Sequence, residues 1–469
     1  MLRIRKLTLK NIGPFTNEEL DFSIKPGHPD IHIIVGPNGT GKTTILHSLA
    51  STFDYFETDH KEHVSNNLHK RFKKSNGKFS EDDKAMADSY SHVILTDKHE
   101  KVIDKLINYG CKKCGNIHQN FEKTISNSLV MSKNGNNYQN VPQSKLLLNY
   151  KNSIRSKDLT NKRISFAAFG YSGYRLIESE HVEISDNQSF NPLYLALEFV
   201  KKKDGTEKEF KLSNWIASRY SKAALAEVAG NKSLAEKYRH SVTKLVQLIN
   251  DLTNNTYNII IETNPWKVVI SFCNNNLEFD VLPDGLRSIL SWIGDLLMRL
   301  DAIPWEDEGK LVNEQNIIIF LDEVEVHLHP TWQYKILKMI YSLLPNSQIF
   351  ITTHSPFIIN SLDNAKLYLL ELKDCSSRLS RSLLTENSWS ISYVLDEILN
   401  AKLQFGFEVS DKINRFNFID SQIVEGNFEN ETEFKDLISE LSNESDEVWS
   451  IILPRLLRLK KGGVNYLNG

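Results

Sequence analysis

Cysteine is scarce in this sequence of 469 residues, which contains only Cys111, Cys114, Cys273 and Cys375. So few cysteines argue against a disulfide scaffold and favour a reducing compartment. The sequence also has no run that approaches the roughly 18 apolar residues of a membrane-spanning helix. Its opening segment, MLRIRKLTLKNIGPF, alternates like a strand and has no apolar block of the secretion-signal type. These absences predict a soluble, cytoplasmic protein that makes no membrane contact.

The sequence also lacks a large net charge, which is −3 at pH 7. The chain as a whole therefore does not attract nucleic acid, and any such contact must use local basic segments. Three segments are basic, and each is more simply explained as a solvated loop or helix face: 69–78, 200–211 and 455–461. Contact with nucleic acid would then be made through a larger complex.

The strongest motif is a glycine-rich loop between an apolar run and a helical pattern, in IHIIVGPNGTGKTTILHSLAS. Ile31–Val35 has the short apolar pattern of a buried parallel strand, and Thr44–Ser51 has that of a helix. Between them, G-x-x-x-x-G-K-T lets backbone N–H groups curl around phosphate oxygens at the positive end of the helix. In this pattern Lys42 reaches the β- and γ-phosphates, and the Thr43 hydroxyl binds Mg²⁺. The predicted ATP-binding residues of the loop are Gly36, Pro37, Asn38, Gly39, Thr40, Gly41, Lys42, Thr43 and Thr44.

Two later strands end in polar residues of the type that completes an ATPase site. Ile317–Leu321 is an apolar run followed by Asp322, whose carboxylate can hold the Mg²⁺ shell, and by Glu323, which can act on water as a general base. One helical segment further on, QIFITTHSPFII runs from a strand into His354, which can contact the γ-phosphate or the attacking water. Strand, helix and strand in this order are typical of a βαβ unit. The predicted catalytic residues are Glu323, His354 and Lys42.

In the order NIGPF, GPNGTGKT, DGLRS, LDEVEVHLHP and TTHSP, these motifs resemble the ABC-type ATPases that include the RecF and SMC-like proteins. EVHLHPTWQ together with ITTHSPFII is typical of their short-armed prokaryotic relatives in anti-phage defence. Within that group the sequence is most similar to the ATPase subunit of the Septu system, and next to overcoming-lysogenization-type ATPases. The resemblance covers roughly residues 1–50 and 160–375. It implies an AAA-type ATPase that uses ATP and Mg²⁺.

The resemblance also implies that each nucleotide is enclosed between two copies of the chain. In such ATPases a signature segment contacts the nucleotide of the opposite subunit, and LPDGLRS occupies that place here. Pro283 replaces the usual serine, so the hydroxyl contact is missing, and slow turnover or nucleotide sensing is implied. Asp284, Gly285, Arg287 and Ser288 are the remaining candidate contacts, at a helix start that favours an anion. The alternative is an ordinary turn in which Asp284 caps the helix.

The motifs divide the sequence into four predicted regions. Residues 1–51 carry the phosphate loop, 52–160 form an inserted polar subdomain, 161–375 carry the signature and the carboxylate strand, and 376–469 form a helical assembly region. Long coiled-coil arms are not expected, because no heptads are sustained. The predicted fold class is α/β: an ABC-type P-loop ATPase head with a mixed β-sheet, a helical signature lobe, the inserted subdomain and a helical C-terminal region.

Two assignments stay open at this point. The inserted subdomain contains CKKCGNIH, in which Cys111, Cys114 and His118 could ligate zinc if a partner or an upstream histidine supplied a fourth ligand. Two unligated thiols in a turn explain the segment nearly as well. The second is FGYSGYR, Phe169–Arg175. By resemblance Arg175 approaches phosphate, and equally it could be a buried salt-bridge partner.

The sequence as a whole predicts an ATPase that forms a homodimer or higher oligomer and senses nucleotide within an anti-phage defence complex. By resemblance, its nucleotide-driven change controls a separate nuclease subunit of the His-Asn-His (HNH) type. This chain shows neither a D-x-D metal pair nor an HNH pattern, so no nuclease is expected within it. Two alternatives remain: a RecF- or SMC-like DNA-repair ATPase that binds DNA directly, and a slow nucleotide-gated scaffold.

Overall fold

The chain folds into two compact units, Met1–Val394 and Leu395–Gly469. The structure is a computed structural model, and it describes residues 1–53, 90–96, 102–108, 145–156, 159, 161–172, 191–197, 212–264, 266–401, 405–426, 428–461, 464 and 466.

The larger unit contains three β-sheets among its described residues. Their strands are β1 (Arg3–Ile12), β2 (Phe15–Asp21), β3 (Ile31–Val35), β4 (Tyr90–Thr96), β5 (Val102–Asn108), β6 (Ala167–Ser172), β7 (Asn258–Thr263), β8 (Trp266–Phe272), β9 (Asn275–Leu277), β10 (Ile317–Asp322), β11 (Ser347–Thr352), β12 (Lys366–Lys373) and β13 (Ser376–Leu384). Its helices are α1 (Lys42–Ala50), α2 (Lys145–Ile154), α3 (Leu212–Val228), α4 (Lys232–Thr253), α5 (Asp284–Ala302), α6 (Pro330–Leu343), α7 (Pro356–Ile359) and α8 (Ile391–Tyr393).

The central sheet has six strands in the order β13-β12-β3-β11-β10-β6. Neighbouring strands pair in parallel, except that β13 pairs antiparallel with β12. β3 and β11 are buried along their whole length, and β10 is buried up to its last residue, as expected for strands covered on both faces. Since parallel strands end at the same edge of a sheet, the residues that follow β3, β10 and β11 meet there. This arrangement confirms the predicted α/β fold class with a mixed sheet.

Two antiparallel sheets accompany the central one, with strand orders β2-β1-β4-β5 and β7-β8-β9. The turn between β1 and β2 packs closely on the start of α1. A Cβ added at Gly13 of this turn would lie only 2.9 Å from Thr44 Cγ2. Helices α3 and α4 pack against each other, and both contact α5. The N-terminal end of α5 carries the predicted signature residues.

The smaller unit, Leu395–Gly469, is helical, with α9 (Phe407–Val424), α10 (Glu431–Ser442) and α11 (Asp446–Lys461). Phe416 and Phe434 stack at its centre with ring centroids 4.8 Å apart. Leu441, Ile452 and Leu456 complete a core that is closed to water. The unit therefore has an apolar core of its own.

The predicted helical region was placed from residue 376, but its first residues form β13 of the central sheet. Asp374 and Cys375 both have positive φ, of 50° and 58°, which is typical of the two-residue turns that join antiparallel strands. This turn directs Ser376–Leu384 back along β12. Helical residues follow this strand from Ile391, first in α8 and then in a π-helical turn over Val394–Ile398.

In the part of the chain that the structure describes, no helix combines the length and the apolar character needed to cross a bilayer.

Candidate nucleotide-binding site

The phosphate loop joins β3 to α1, as predicted, and its glycine at position 41 is required by its surroundings. Gly41 has φ +85°, in the left-handed region that side chains disfavour. A Cβ there would lie 2.5 Å from Pro14 Cγ and 2.6 Å from Phe15 Cε2. The NIGPF turn therefore packs directly on the loop, and it fixes the position at which α1 begins.

Lys42, the first residue of α1, is buried in the loop. Its Nζ donates hydrogen bonds to the carbonyl oxygens of Gly36, at 2.9 Å, and Pro37, at 3.2 Å. Burial lowers the pKa of Lys42, whereas the nearby charges of Glu323 and Asp322 act in the opposite direction. An ammonium has three donors, so this one can exchange loop carbonyls for phosphate oxygens without a large movement.

Thr43 and Asp322 meet at the sheet edge although they are far apart in the sequence. The Thr43 hydroxyl donates to Asp322 Oδ1 at 3.1 Å, and the Thr352 hydroxyl donates to the same oxygen at 2.5 Å. Asp322 lies beside Thr352 in register, because β10 and β11 are adjacent parallel strands. Burial raises the pKa of Asp322, and the two hydroxyl donors partly offset this. A carboxylate beside a hydroxyl offers the hard oxygen ligands that Mg²⁺ prefers.

Glu323 lies where β10 turns out of the sheet. Its φ is +51°, and its N–H donates to the carbonyl oxygen of Thr352 at 3.2 Å and to the Thr352 hydroxyl at 3.1 Å. The charge of Glu323 acts on both Lys42 and His354. The three residues predicted to be catalytic are thus brought within electrostatic range of one another.

His354 follows β11, at the exposed mouth of the site. Partial removal from water lowers the pKa of His354, and the charge of Lys42 lowers it further. An imidazole in its neutral form has one donor and one acceptor nitrogen. It can therefore contact either a phosphate oxygen or a water molecule.

Glu325 is a residue of this site that the sequence analysis missed. Its Oε1 accepts a hydrogen bond from the backbone N–H of His354 at 2.6 Å. Burial raises the pKa of Glu325, although the N–H of His354 acts in the opposite direction. The signal in the sequence was a second carboxylate two positions after Glu323, in LDEVEVHLHP. That pattern alone does not show that the carboxylate faces inwards.

The predicted signature begins α5, with Pro283 as the residue before the helix and Asp284 as the first helical residue. Pro283 provides no side-chain cap for this helix, and the alternative of an ordinary capping turn at Asp284 stays a prediction. Asp284 is exposed, and Arg287 contacts it at 3.5 Å. Gly285 and Ser288 are buried. Of the four residues, Asp284 is therefore the exposed one, Arg287 is partly buried, and Gly285 and Ser288 are packed inside the protein.

Gly285 packs within its own chain, against the segment that follows Glu323. A Cβ at this position would lie 2.8 Å from the carbonyl oxygen of His327 and 2.9 Å from Trp332 Cζ3. The sequence analysis placed this glycine among the candidate contacts to the nucleotide of the opposite subunit. Its close approach in this structure is to protein, because α5 and the end of β10 meet here.

The predicted zinc ligands Cys111, Cys114 and His118 lie outside the described residues, and so does Arg175. Within the described residues, no group of three or more His, Cys, Asp or Glu side chains is arranged to hold a metal ion. The zinc site and the role of Arg175 stay predictions.

Comparisons with known proteins identify the family of this chain. The sequence profile described as the AAA ATPase domain matches residues 2–359. The Septu protein PtuA of Bacillus thuringiensis is 24% identical over 405 residues, covering 85% of this chain and 84% of that protein. The retron Ec83 probable ATPase of Escherichia coli is 24% identical over 420 residues, covering 79% of this chain and 72% of that protein.

Among solved structures, the Smc head domain derived from Pyrococcus furiosus aligns with a TM-score of 0.40 and 12% identity, over 85% of this chain and 100% of that chain. The curated similarities confirm the resemblance to Septu-type ATPases that the motifs predict.

Proposed function

The chain belongs to the AAA ATPase domain family, and from that premise we propose that it binds and hydrolyses ATP as a subunit of an anti-phage defence complex. One observation carries the proposal. Thr43 of the phosphate loop lies 3.1 Å from the Asp322 carboxylate, at the edge where Lys42, Glu323 and His354 also meet. The similarity to the Septu protein and to the retron ATPase supports the defence context.

In this proposal Gly36–Thr44 surrounds the phosphates of ATP, and Lys42 neutralises their charge. Thr43 and Asp322 would hold Mg²⁺, which would supply Lewis-acid stabilisation of the transferred phosphoryl group when bound. Glu323 positions and deprotonates the attacking water. His354 reports the presence of the γ-phosphate.

A second copy of the chain completes the site. The start of α5, where Asp284 is exposed, would face the nucleotide held by the opposite copy, because a helix N-terminus favours an anion. The family resemblance supports this arrangement. Pro283 has no hydroxyl to offer a phosphate, so turnover is slow. The nucleotide-dependent change of the dimer then controls a separate nuclease subunit.

The proposal is tested with the purified full chain and its Glu323→Gln variant. Wild type should release phosphate from ATP in the presence of Mg²⁺, and it should dimerise when ATP is added. The Glu323→Gln variant should bind ATP and remain dimeric without releasing phosphate, as measured by light scattering and a phosphate assay. Phosphate release that is unchanged in Glu323→Gln contradicts the assigned role. Release that DNA strongly stimulates in the isolated chain supports a DNA-repair ATPase instead.

A further inference from the structure

The segment Val324–His329, named here the post-base loop, has a conformation that its neighbours must maintain. Glu323, just before it, has φ +51°, and His327 within it has φ +64°. Residues other than glycine seldom adopt these values, because Cβ then approaches the backbone carbonyl oxygen. Such conformations persist where surrounding contacts fix them. Two side chains supply such contacts, and both connect the post-base loop to the segment around His354.

The first is Gln333, in the first turn of α6. Its Nε2 donates to the carbonyl oxygen of Leu328 at 2.8 Å and to that of Glu325 at 3.3 Å. Its Oε1 accepts a hydrogen bond from the Ser355 hydroxyl at 2.5 Å. One carboxamide thus joins the post-base loop to the residue next to His354.

The second is Glu325, inside the post-base loop. Its Oε1 accepts from the backbone N–H of His354 at 2.6 Å. Its Oε2 is buried and has no hydrogen-bond partner among the described residues. An unpaired buried carboxylate oxygen is costly to maintain, so Glu325 is held where its other oxygen is satisfied, and the backbone N–H of His354 is one of the donors there.

We propose that Gln333 and Glu325 are positioning residues, which together tie the loop that follows the general base to the strand end that carries His354. Neither side chain touches the reacting atoms. They hold the water-activating carboxylate of Glu323 and the imidazole of His354 at a fixed separation, so both groups shift together when the γ-phosphate binds or leaves. This inference rests on the proposed ATPase function.

Gln333→Met tests the first tie, since methionine matches glutamine in length and makes no such hydrogen bonds. We expect kcat for ATP to fall by between about tenfold and about a hundredfold, because small displacements of catalytic groups have effects of this size. KM and the affinity for a fluorescent ATP analogue should change by less than about threefold. The matched control is Lys338→Met, at an exposed position of the same helix, which should leave kcat unchanged.

Glu325→Gln and Glu325→Leu test the second tie. A carboxamide keeps an oxygen acceptor for the N–H of His354, so Glu325→Gln should retain most of the wild-type kcat. Glu325→Leu removes the acceptor and should lower kcat at least about tenfold. If circular dichroism shows that Gln333→Met does not fold, the two Glu325 variants still test the inference.

A double-mutant cycle with His354→Ala separates positioning from general stabilisation. If Gln333 acts through His354, then Gln333→Met should lower kcat by less than about twofold once His354 is alanine. Full additivity of the two effects, or equal losses of kcat and nucleotide affinity, overturns the inference and leaves the ATPase function intact. Absence of phosphate release from the wild type overturns both.

Discussion

Gly285→Ala tests whether the start of α5 is locked against the post-base loop. The added Cβ would meet the carbonyl oxygen of His327 at 2.8 Å and Trp332 Cζ3 at 2.9 Å. A backbone oxygen and a ring cannot move aside as a flexible chain end can, so overpacking should destabilise the fold by about 1–3 kcal/mol. The higher helix propensity of alanine offsets about 0.5–1 kcal/mol of this. The net loss of stability should be about 0.5–2 kcal/mol.

Gly294→Ala is the control, because it makes the same substitution in the interior of the same helix, where alanine has its full gain in helix propensity. Its Cβ would meet Leu212 Cδ1 at 2.8 Å, and this end of a flexible side chain can rotate away. We therefore expect Gly294→Ala to be neutral or slightly stabilising.

The assay is thermal unfolding followed by circular dichroism, together with phosphate release. At about 2.1 cal/mol/K of unfolding entropy per residue, the predicted loss lowers the Tm of a unit as long as Met1–Val394 by about 1–3 °C. Gly285→Ala should also slow ATP turnover, because the post-base loop shifts with α5. Equal Tm values for Gly285→Ala and Gly294→Ala would refute the close approach on which the prediction depends.

Three further predictions concern single side chains. Lys42→Met should weaken ATP binding at least about tenfold, measured by titration of a fluorescent ATP analogue, because it removes a buried charged donor. Glu323→Gln should lower kcat by between about 10² and 10⁴-fold, measured as phosphate release, while ATP affinity is retained. His32 is fully buried in β3, and burial lowers its pKa below the usual 6.5. Below pH 6.5 the imidazole is protonated in the unfolded chain and still neutral in the folded chain. The free energy of unfolding therefore decreases as the pH falls from 6.5 to the lower pKa of the folded state, by at most about 1.4 kcal/mol per pH unit. The Tm of wild type should fall more between pH 7 and 5.5 than that of His32→Gln, and parallel curves would contradict the assignment.

The elements that carry the phosphate loop could be predicted because their signals are local. An apolar run predicted β3 and a glycine-rich loop predicted the turn that follows it. The helix was predicted from Thr44, and it begins two residues earlier, at Lys42, because Gly41 supplies the left-handed turn into it. Ile317–Leu321 and the strand before His354 were predicted for the same reason, since fully buried strands read as unbroken apolar runs.

The missed features depend on contacts that no local pattern encodes. Gln333 follows the LHPTW segment like any polar residue of a helix, and only the packed structure shows its carboxamide bridging Leu328 and Ser355. The sequence also did not show which residues pack on Gly285, because a glycine indicates that some group approaches the backbone closely but does not identify that group.

The sequence alone determined which chemical groups this protein carries: a glycine-rich loop of the phosphate-binding pattern, two carboxylates at the end of an apolar strand, and a histidine at the end of the next strand. These features depend on residue types at short spacings, so a short stretch of sequence is enough to identify them. Tertiary structure alone decided which of these groups meet, because Thr43 and Asp322 are 279 residues apart and are joined only by the order of strands in the sheet. It also decided that the start of α5 rests on the post-base loop, since packing between distant segments depends on the whole fold.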